Sequence, residues 1–279
     1  MLALAFLLGV ASVAAAIWGI GAGASPNSAR GGARGTVLAQ GALTPATTPN
    51  RGNRGSNVAT PRNTPSPTAS PSVTLPPGLT AEDVRAGLLS KSFPQHGSGH
   101  LNVVPGRVPA PGTGSVRQVV VQIEDGLQVD PQKFATFVMA TLNDPRSWGA
   151  GHRMTFARTD DVHAPIHVVL ATPDTSSSMC LPLITDGVLS CRHGDSAILT
   201  VYRWVNATPD YGTDRTEYRE YLVNHEVGHV LGHGHVLCPG TGKPAPVMLQ
   251  QTKGLHGCAI NPWPYPDSPE HLVTGPAVS

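Results

Sequence analysis

The residues best suited to chemistry in this sequence are three histidines and a glutamate in one short segment. From His225 it reads H-E-V-G-H-V-L-G-H-G-H, so His225, His229 and His235 fall at fixed offsets around Glu226. On a helix, residues i and i+4 lie on one face about 6 Å apart, which lets the first two imidazoles bind one Zn²⁺. Glu226 can then accept a proton from water on the metal. Three protein ligands leave one coordination position open, so the pattern predicts a catalytic zinc site.

A glycine separates the helical pair from the third histidine. Gly232 can adopt the positive φ that ends a helix, and a turn there would bring His235 round to the metal. His233 also falls in this turn, but its offset does not fit the third-ligand position. We therefore expect the ligand set to be His225, His229 and His235, with His233 outside it.

The elements that must position these residues can be predicted from capping and periodicity. Asp130 and Pro131 are typical of a helix start, and apolar residues follow at helical spacing. A second helix is predicted from about Asp214, with Glu217 as its capping-box partner, to Gly232. Runs of β-type residues predict strands at Leu101–Val104, Arg117–Ile123, Met154–Arg158, Ile166–Ala171 and Ala197–Tyr202. Strands and helices mixed in this way predict an α+β or α/β fold with two main helices and a small irregular C-terminal part.

The first 78 residues differ sharply from the rest of the chain in composition. Residues 2–24 are uncharged and mostly apolar, long enough to cross a bilayer, so residues 1–24 are predicted to be a signal peptide or a transmembrane signal anchor. The sequence Ala22-Gly23-Ala24 would permit cleavage after Ala24. Residues 25–78 are rich in Pro, Thr, Ser and Gly and are predicted to be a disordered linker. The folded domain is predicted to cover residues 79–279.

The distribution of charge argues against nucleic acid as a partner. The first 81 residues contain five Arg and no Asp or Glu, whereas the remainder holds 14 basic and 18 acidic residues. A nucleic-acid-binding domain is expected to be basic, but this one is mildly acidic.

The four cysteines fit an exported protein with two disulfides. Cys180 and Cys191 flank Asp186-Gly187, a dipeptide typical of a hairpin turn, and Cys238 and Cys258 flank Met248. Three pairings are possible, and local pairing is the simplest. It would place the first pair on a hairpin further from the zinc than the second. A second metal site is the alternative, but paired C-x-x-C spacing is absent.

The extended motif resembles that of the metzincin zinc endopeptidases, and H-E-x-G-H-x-L-G-x-x-H looks most like its matrixin form. Metzincins carry a methionine in a tight turn beneath the metal, a role that Met248 fits. From about Leu79 to Pro264 the chain also resembles a family of exported actinobacterial proteins, domain-of-unknown-function family 3152. The matching segments are Val121–Leu127, Asp144–Trp148, Tyr218–Tyr221, the zinc motif, and Cys238–Gly240 through Asn261–Pro264. The resemblance implies a metzincin-like α+β fold, with a twisted mixed sheet above the cleft and the motif helix below it.

Some residues depart from the better-known metzincins. Leu249 follows Met248 where astacin-type enzymes have a tyrosine ligand, and Val236 follows His235 where many matrixin-like enzymes have a polar residue. No cysteine precedes the folded domain, so a thiol that caps the zinc in a latent form is not available.

Together these features predict a zinc-dependent metallopeptidase outside the cytoplasmic membrane, attached by its N-terminal segment or secreted if that segment is cleaved. Glu226 would be its general base, and Ala197–Tyr202 is our candidate edge strand for aligning an extended peptide. The substrate would be a peptide or protein, and cell-wall peptide cross-links are an alternative. A non-catalytic zinc-binding module is a second alternative, although it would not need Glu226.

Overall fold

A computed structural model describes residues 75–266 of the chain. The predicted signal or anchor segment, residues 1–24, and nearly all of the predicted linker, residues 25–78, lie outside the described residues. Within the described residues, no helix is both long and apolar enough to span a bilayer.

The described chain combines five α-helices with a six-stranded mixed sheet, which confirms the α+β fold class. The helices are α1 (Ala81–Arg85), α2 (Pro131–Leu142), α3 (Pro173–Met179), α4 (Val201–Asn206) and α5 (Arg215–Val230). The strands are β1 (Leu101–Val103), β2 (Ser115–Glu124), β3 (Met154–Arg158), β4 (Ile166–Ala171), β5 (Cys191–His193) and β6 (Ser196–Thr200).

Both main helices begin where the sequence predicts. The Asp130 carboxylate accepts hydrogen bonds from the Gln132 and Lys133 backbone N–H groups, 3.0 and 3.1 Å away, at the start of α2. The Asp214 carboxylate accepts one from the Glu217 N–H at 3.1 Å at the start of α5. Each aspartate therefore satisfies N–H groups that have no partner within the helix.

The long strand β2 lies inside the sheet. It pairs antiparallel with β1 and parallel with both β3 and β4, and the order continues through β6 to β5. Three successive residues of β2, Val119, Val120 and Val121, are fully buried, so both faces of the sheet are covered at this point. Helices α2 and α5 pack against each other and against the sheet, and α5 contacts β6 and β5.

The prediction of an edge strand at Ala197–Tyr202 is wrong. Strand β6 ends at Thr200 and lies between β4 and β5, so the edge on this side of the sheet is the short antiparallel strand β5. Val201 and Tyr202 have side chains that favour strands, yet they begin α4. Tertiary packing of this turn decides their conformation, because Val201 and the later Trp204 are buried in the core.

The local pairing of the cysteines is confirmed, but the hairpin is not. The disulfides join Cys180 to Cys191 and Cys238 to Cys258, as is typical of an exported protein. Asp186 and Gly187 do form a positive-φ turn, at φ +51° and +70°. That turn lies in the connection from α3 to β5, while the hairpin joins β5 to β6.

A fully buried ion pair joins α1 to the N-terminal part of α5. Arg219 Nη2 donates to the Asp83 carboxylate at 2.6 Å, and the two residues are 0% and 1% exposed. Burial by itself would raise the pKa of Asp83. Hydrogen bonds from Arg219 and the Thr80 N–H, and the charges of Arg219 and Arg215, nevertheless hold it below its ordinary value. Arg219 also donates to the Trp204 carbonyl at 2.7 Å, so this contact connects three helices.

Candidate metal centre

The three predicted ligand histidines come together at the end of α5. One ring nitrogen from each of His225, His229 and His235 lies within 4.8 Å of the others. The Nε2 atoms of His229 and His235 are 3.0 Å apart. Two nitrogens bound to one tetrahedral zinc are separated by about 3.3 Å, given typical zinc–nitrogen bonds. The three imidazoles therefore fit a metal ion of this kind.

Backbone carbonyl groups orient two of these rings. His225 Nδ1 donates to the Val247 carbonyl, and His229 Nδ1 donates to the His233 carbonyl, each at 2.8 Å. A carbonyl can only accept, so each Nδ1 carries the proton and leaves Nε2 with its lone pair. Hydrogen bonding of this kind to the second ring nitrogen is characteristic of histidine ligands to metals.

The surroundings of the triad also favour neutral imidazoles. Burial lowers the pKa of His225 well below its ordinary value, and the neighbouring His229 lowers it further. Burial lowers the pKa of His229 as well, and burial together with His229 lowers that of His235 to about 4. A histidine must be deprotonated to bind a metal, and these shifts keep all three in that form at neutral pH.

Glu226 lies beside the triad and borders the same cleft. It is 4% exposed, and burial raises the pKa of its carboxyl group to about 8. Glu226 contributes to the lining of the cleft together with the three histidines. A carboxyl group in this position is suited to exchange a proton with a molecule held in the cleft.

The turn that carries the third histidine depends on Gly232, as predicted. Gly232 has φ +94°, and its N–H donates to the His229 carbonyl at 3.1 Å. The His233 N–H donates to the Gly228 carbonyl at 2.9 Å. These two hydrogen bonds form a Schellman motif, which ends α5 and directs the chain back so that His235 reaches the other two rings.

Met248 lies against the motif helix at Gly228. A Cβ atom added to Gly228 would stand 2.6 Å from Met248 Sδ and 2.6 Å from Trp148 Cζ2. Trp148 Nε1 donates to the Asn224 carbonyl at 2.9 Å, and its ring stacks on His233 with centroids 4.2 Å apart. The glycine of the motif thus allows helix, methionine and tryptophan to pack in direct contact.

Replacing Gly228 with Ala is expected to destabilise the domain by about 1–3 kcal/mol through overpacking. The direction of this change in the free energy of unfolding is informative. In a helix interior, Ala is otherwise favoured over Gly by about 1 kcal/mol, so a stabilising effect would be expected without the close packing. Urea unfolding measures the change, and Gly234→Ala is the matched control, since an added Cβ there meets nothing within 4 Å. Equal midpoints for the two variants would contradict this account of the packing.

A buried polar network fixes the loop that contains Met248. Gln251 is fully buried; it accepts from the Tyr211 hydroxyl at 2.8 Å and donates to the Asn261 carbonyl at 2.7 Å. The Tyr221 hydroxyl donates to the Leu249 carbonyl at 3.1 Å, and the Tyr221 ring packs 5.2 Å from that of His225. This network holds the loop on α5 although residues 231–266 contain no helix or strand.

The triad opens into a cleft of about 450 Å³. The histidines and Glu226 contribute to its lining, together with residues from segments 183–192 and 250–253. Cys191 is one of these lining residues, so the Cys180–Cys191 disulfide borders the site. The expectation that this disulfide lies on a hairpin further from the metal is therefore wrong.

Several contacts at the site could not be predicted from the motif. Trp148 lies about 80 positions upstream, and the Val247 carbonyl is a backbone group that carries no side-chain signal. His233 stands outside the ligand group, as expected, but its carbonyl and ring both contact the site. For Tyr221, the spacing of four residues before His225 on one helix is a usable signal.

Comparison with known proteins identifies the family of the chain but assigns no activity to it. No curated protein and no solved structure matches the chain. A family model described as "Protein of unknown function (DUF3152)" matches residues 88–266, which include the whole of the motif helix, both disulfides and the Met248 loop. The chain belongs to this family of proteins of unknown function, DUF3152.

Proposed function

We propose that the protein is a zinc-dependent metallopeptidase with a metzincin-like site, acting outside the cytoplasmic membrane. The observation that carries this proposal is the convergence of His225, His229 and His235 beside Glu226 in an open cleft. A structural zinc site is closed by protein ligands, whereas a three-histidine site that faces a cleft suits catalysis. The packing of Met248 against the motif helix at Gly228 supports the resemblance to metzincins.

Each residue has a defined part in the proposed reaction. His225, His229 and His235 would hold the zinc, and the Val247 and His233 carbonyls would keep two of the rings oriented. When bound, zinc supplies Lewis acidity, which polarises a carbonyl group and makes water nucleophilic near neutral pH. Glu226 would accept the proton of the attacking water and pass it to the leaving amine.

Strand β5 provides a means of aligning a peptide substrate. It is the edge of the sheet on the side of the cleft, and its outer side pairs with no other strand among residues 75–266. An extended peptide can add to such an edge through main-chain hydrogen bonds. Strand β5 therefore replaces Ala197–Tyr202 as our candidate for the edge strand that aligns a peptide.

Metal content and chelation test the proposal. The purified protein is expected to contain about one zinc per chain and to cleave members of an unbiased peptide library, with cleavage lost on chelation and regained with zinc. Mass spectrometry of the products measures cleavage, and elemental analysis measures the metal. Zinc without cleavage of peptides or cell-wall fragments would favour the binding module, and absence of zinc after gentle purification would overturn the metal site.

A further inference from the structure

Two cations border the cleft without a carboxylate partner. Arg192 lies on β5 and Lys253 lies in the loop that follows Met248, and both contribute to the lining of the cleft. Both are exposed, and within residues 75–266 neither forms an ion pair with an acidic side chain.

The charges lining the cleft are unbalanced. Among the lining residues that the structure describes, Glu226 is the one carboxylic acid, whereas Arg192 and Lys253 are both basic. The two cations approach the triad from different segments. Such an arrangement attracts an anionic group into the cleft.

The segments that carry these cations are both cross-linked. Arg192 directly follows Cys191 of the first disulfide, and Lys253 lies inside the loop closed by Cys238 and Cys258. A charge held on a constrained segment loses less conformational entropy on binding than one on a free loop. The first disulfide also closes the segment that carries Leu183 and Ile184, which border the cleft and are 56% and 75% exposed. The cleft thus has an apolar part and a cationic part.

We propose that Arg192 and Lys253 select peptides that carry a carboxylate beside the cleaved bond, together with a bulky apolar side chain that packs on Leu183 and Ile184. This inference rests on the proposed function for the cleavage of the peptide, whereas the selection of the peptide is a property of binding alone. The carboxylate can come from an internal Asp or Glu or from the free C-terminus of the peptide. Arg can bind either one bidentately, and Lys contributes a point charge.

Binding to the full chain carrying Glu226→Gln tests this without turnover. The probes are three fluorescein-labelled Leu-containing octapeptides: one with an internal Glu and an amidated C-terminus, its Gln counterpart, and that Gln peptide with a free C-terminus. Fluorescence anisotropy should show a carboxylate peptide binding roughly five- to tenfold more tightly than the amidated Gln peptide, since exposed ion pairs contribute about fivefold each at most. The difference should shrink as salt rises from about 0.05 to 0.5 M.

Variants connect the preference to the two residues. Adding Arg192→Gln and Lys253→Gln to the Glu226→Gln chain should abolish the preference for the carboxylate peptide. Adding Arg192→Glu and Lys253→Glu instead should produce a preference for a peptide that has Lys in place of Glu. Lys91→Gln is the matched control, an exposed cation outside the cleft. Whichever carboxylate peptide binds more tightly identifies the source of the charge.

The outcomes separate this inference from the proposed function. Equal binding of all three peptides, or a preference that survives the double Gln substitution, would overturn the inference even if the wild-type protein cleaves peptides. A preference abolished by the double substitution would support it, even if the wild-type protein cleaves nothing.

Discussion

Replacing Glu226 with Gln is expected to lower kcat/KM for peptide hydrolysis by about 10²- to 10⁴-fold, the range for loss of a general base. Gln keeps the size and hydrogen-bonding capacity of the side chain but cannot accept the proton. The ligands His225, His229 and His235 are unchanged, so zinc content should stay the same. Steady-state kinetics and elemental analysis of the same preparation measure the two quantities.

The same helix provides a control for this substitution. Glu220 is also partly buried on α5, and burial raises its pKa to about 7, but it does not border the cleft. Glu220→Gln should leave kcat/KM within a few-fold of the wild type. Hydrolysis by Glu226→Gln at near the wild-type rate would show that another group accepts the proton.

Replacing Cys238 and Cys258 with Ser is expected to weaken zinc binding far more than replacing Cys180 and Cys191. The second disulfide closes the loop that contains Met248 and the Val247 carbonyl, which accepts the hydrogen bond from His225. Loosening this loop would free the His225 ring, and loss of such a partner typically costs about 10- to 100-fold in metal affinity. Competition with a zinc chelator of known affinity measures the change.

The two disulfides are well matched for this comparison. They span 20 and 11 residues, so the chain-entropy model gives each about 3 kcal/mol of stability. A difference in zinc affinity between the two double variants would therefore arise from where each disulfide lies relative to the site, and not from a general loss of stability. Equal zinc affinities in the two double variants would show that the Met248 loop does not control the ligand geometry.

The sequence was informative where local chemistry decides the structure. The caps at Asp130 and Asp214 located both main helices, because a side chain that satisfies free N–H groups acts within three residues. The offsets of His225, His229 and His235 sufficed to bring them together, because helix geometry and one glycine turn determine their positions. Local cysteine pairing was also predictable, since each pair is close in sequence.

Features that depend on distant parts of the chain could not be predicted in the same way. The order of strands places β6 inside the sheet, and no property of Ala197–Thr200 alone distinguishes an interior strand from an edge. Val201 and Tyr202 favour strands locally, but core packing places them in α4. The contacts of Trp148 and of the Val247 carbonyl depend on tertiary structure, so a motif cannot reveal them.

The buried Asp83–Arg219 pair has a practical consequence for producing the protein. The family match starts at residue 88, after Asp83, while Arg219 lies on the motif helix with one guanidinium nitrogen, Nη1, already lacking a partner. A recombinant fragment trimmed to the family boundary would keep the arginine and lose Asp83, the one acidic side chain that pairs with it within residues 75–266. Leaving one charge of such a pair unpaired costs about 3–5 kcal/mol. Fragments for expression should therefore begin before Thr80, whose hydroxyl caps α1, so that insolubility caused by trimming is not mistaken for a property of the domain.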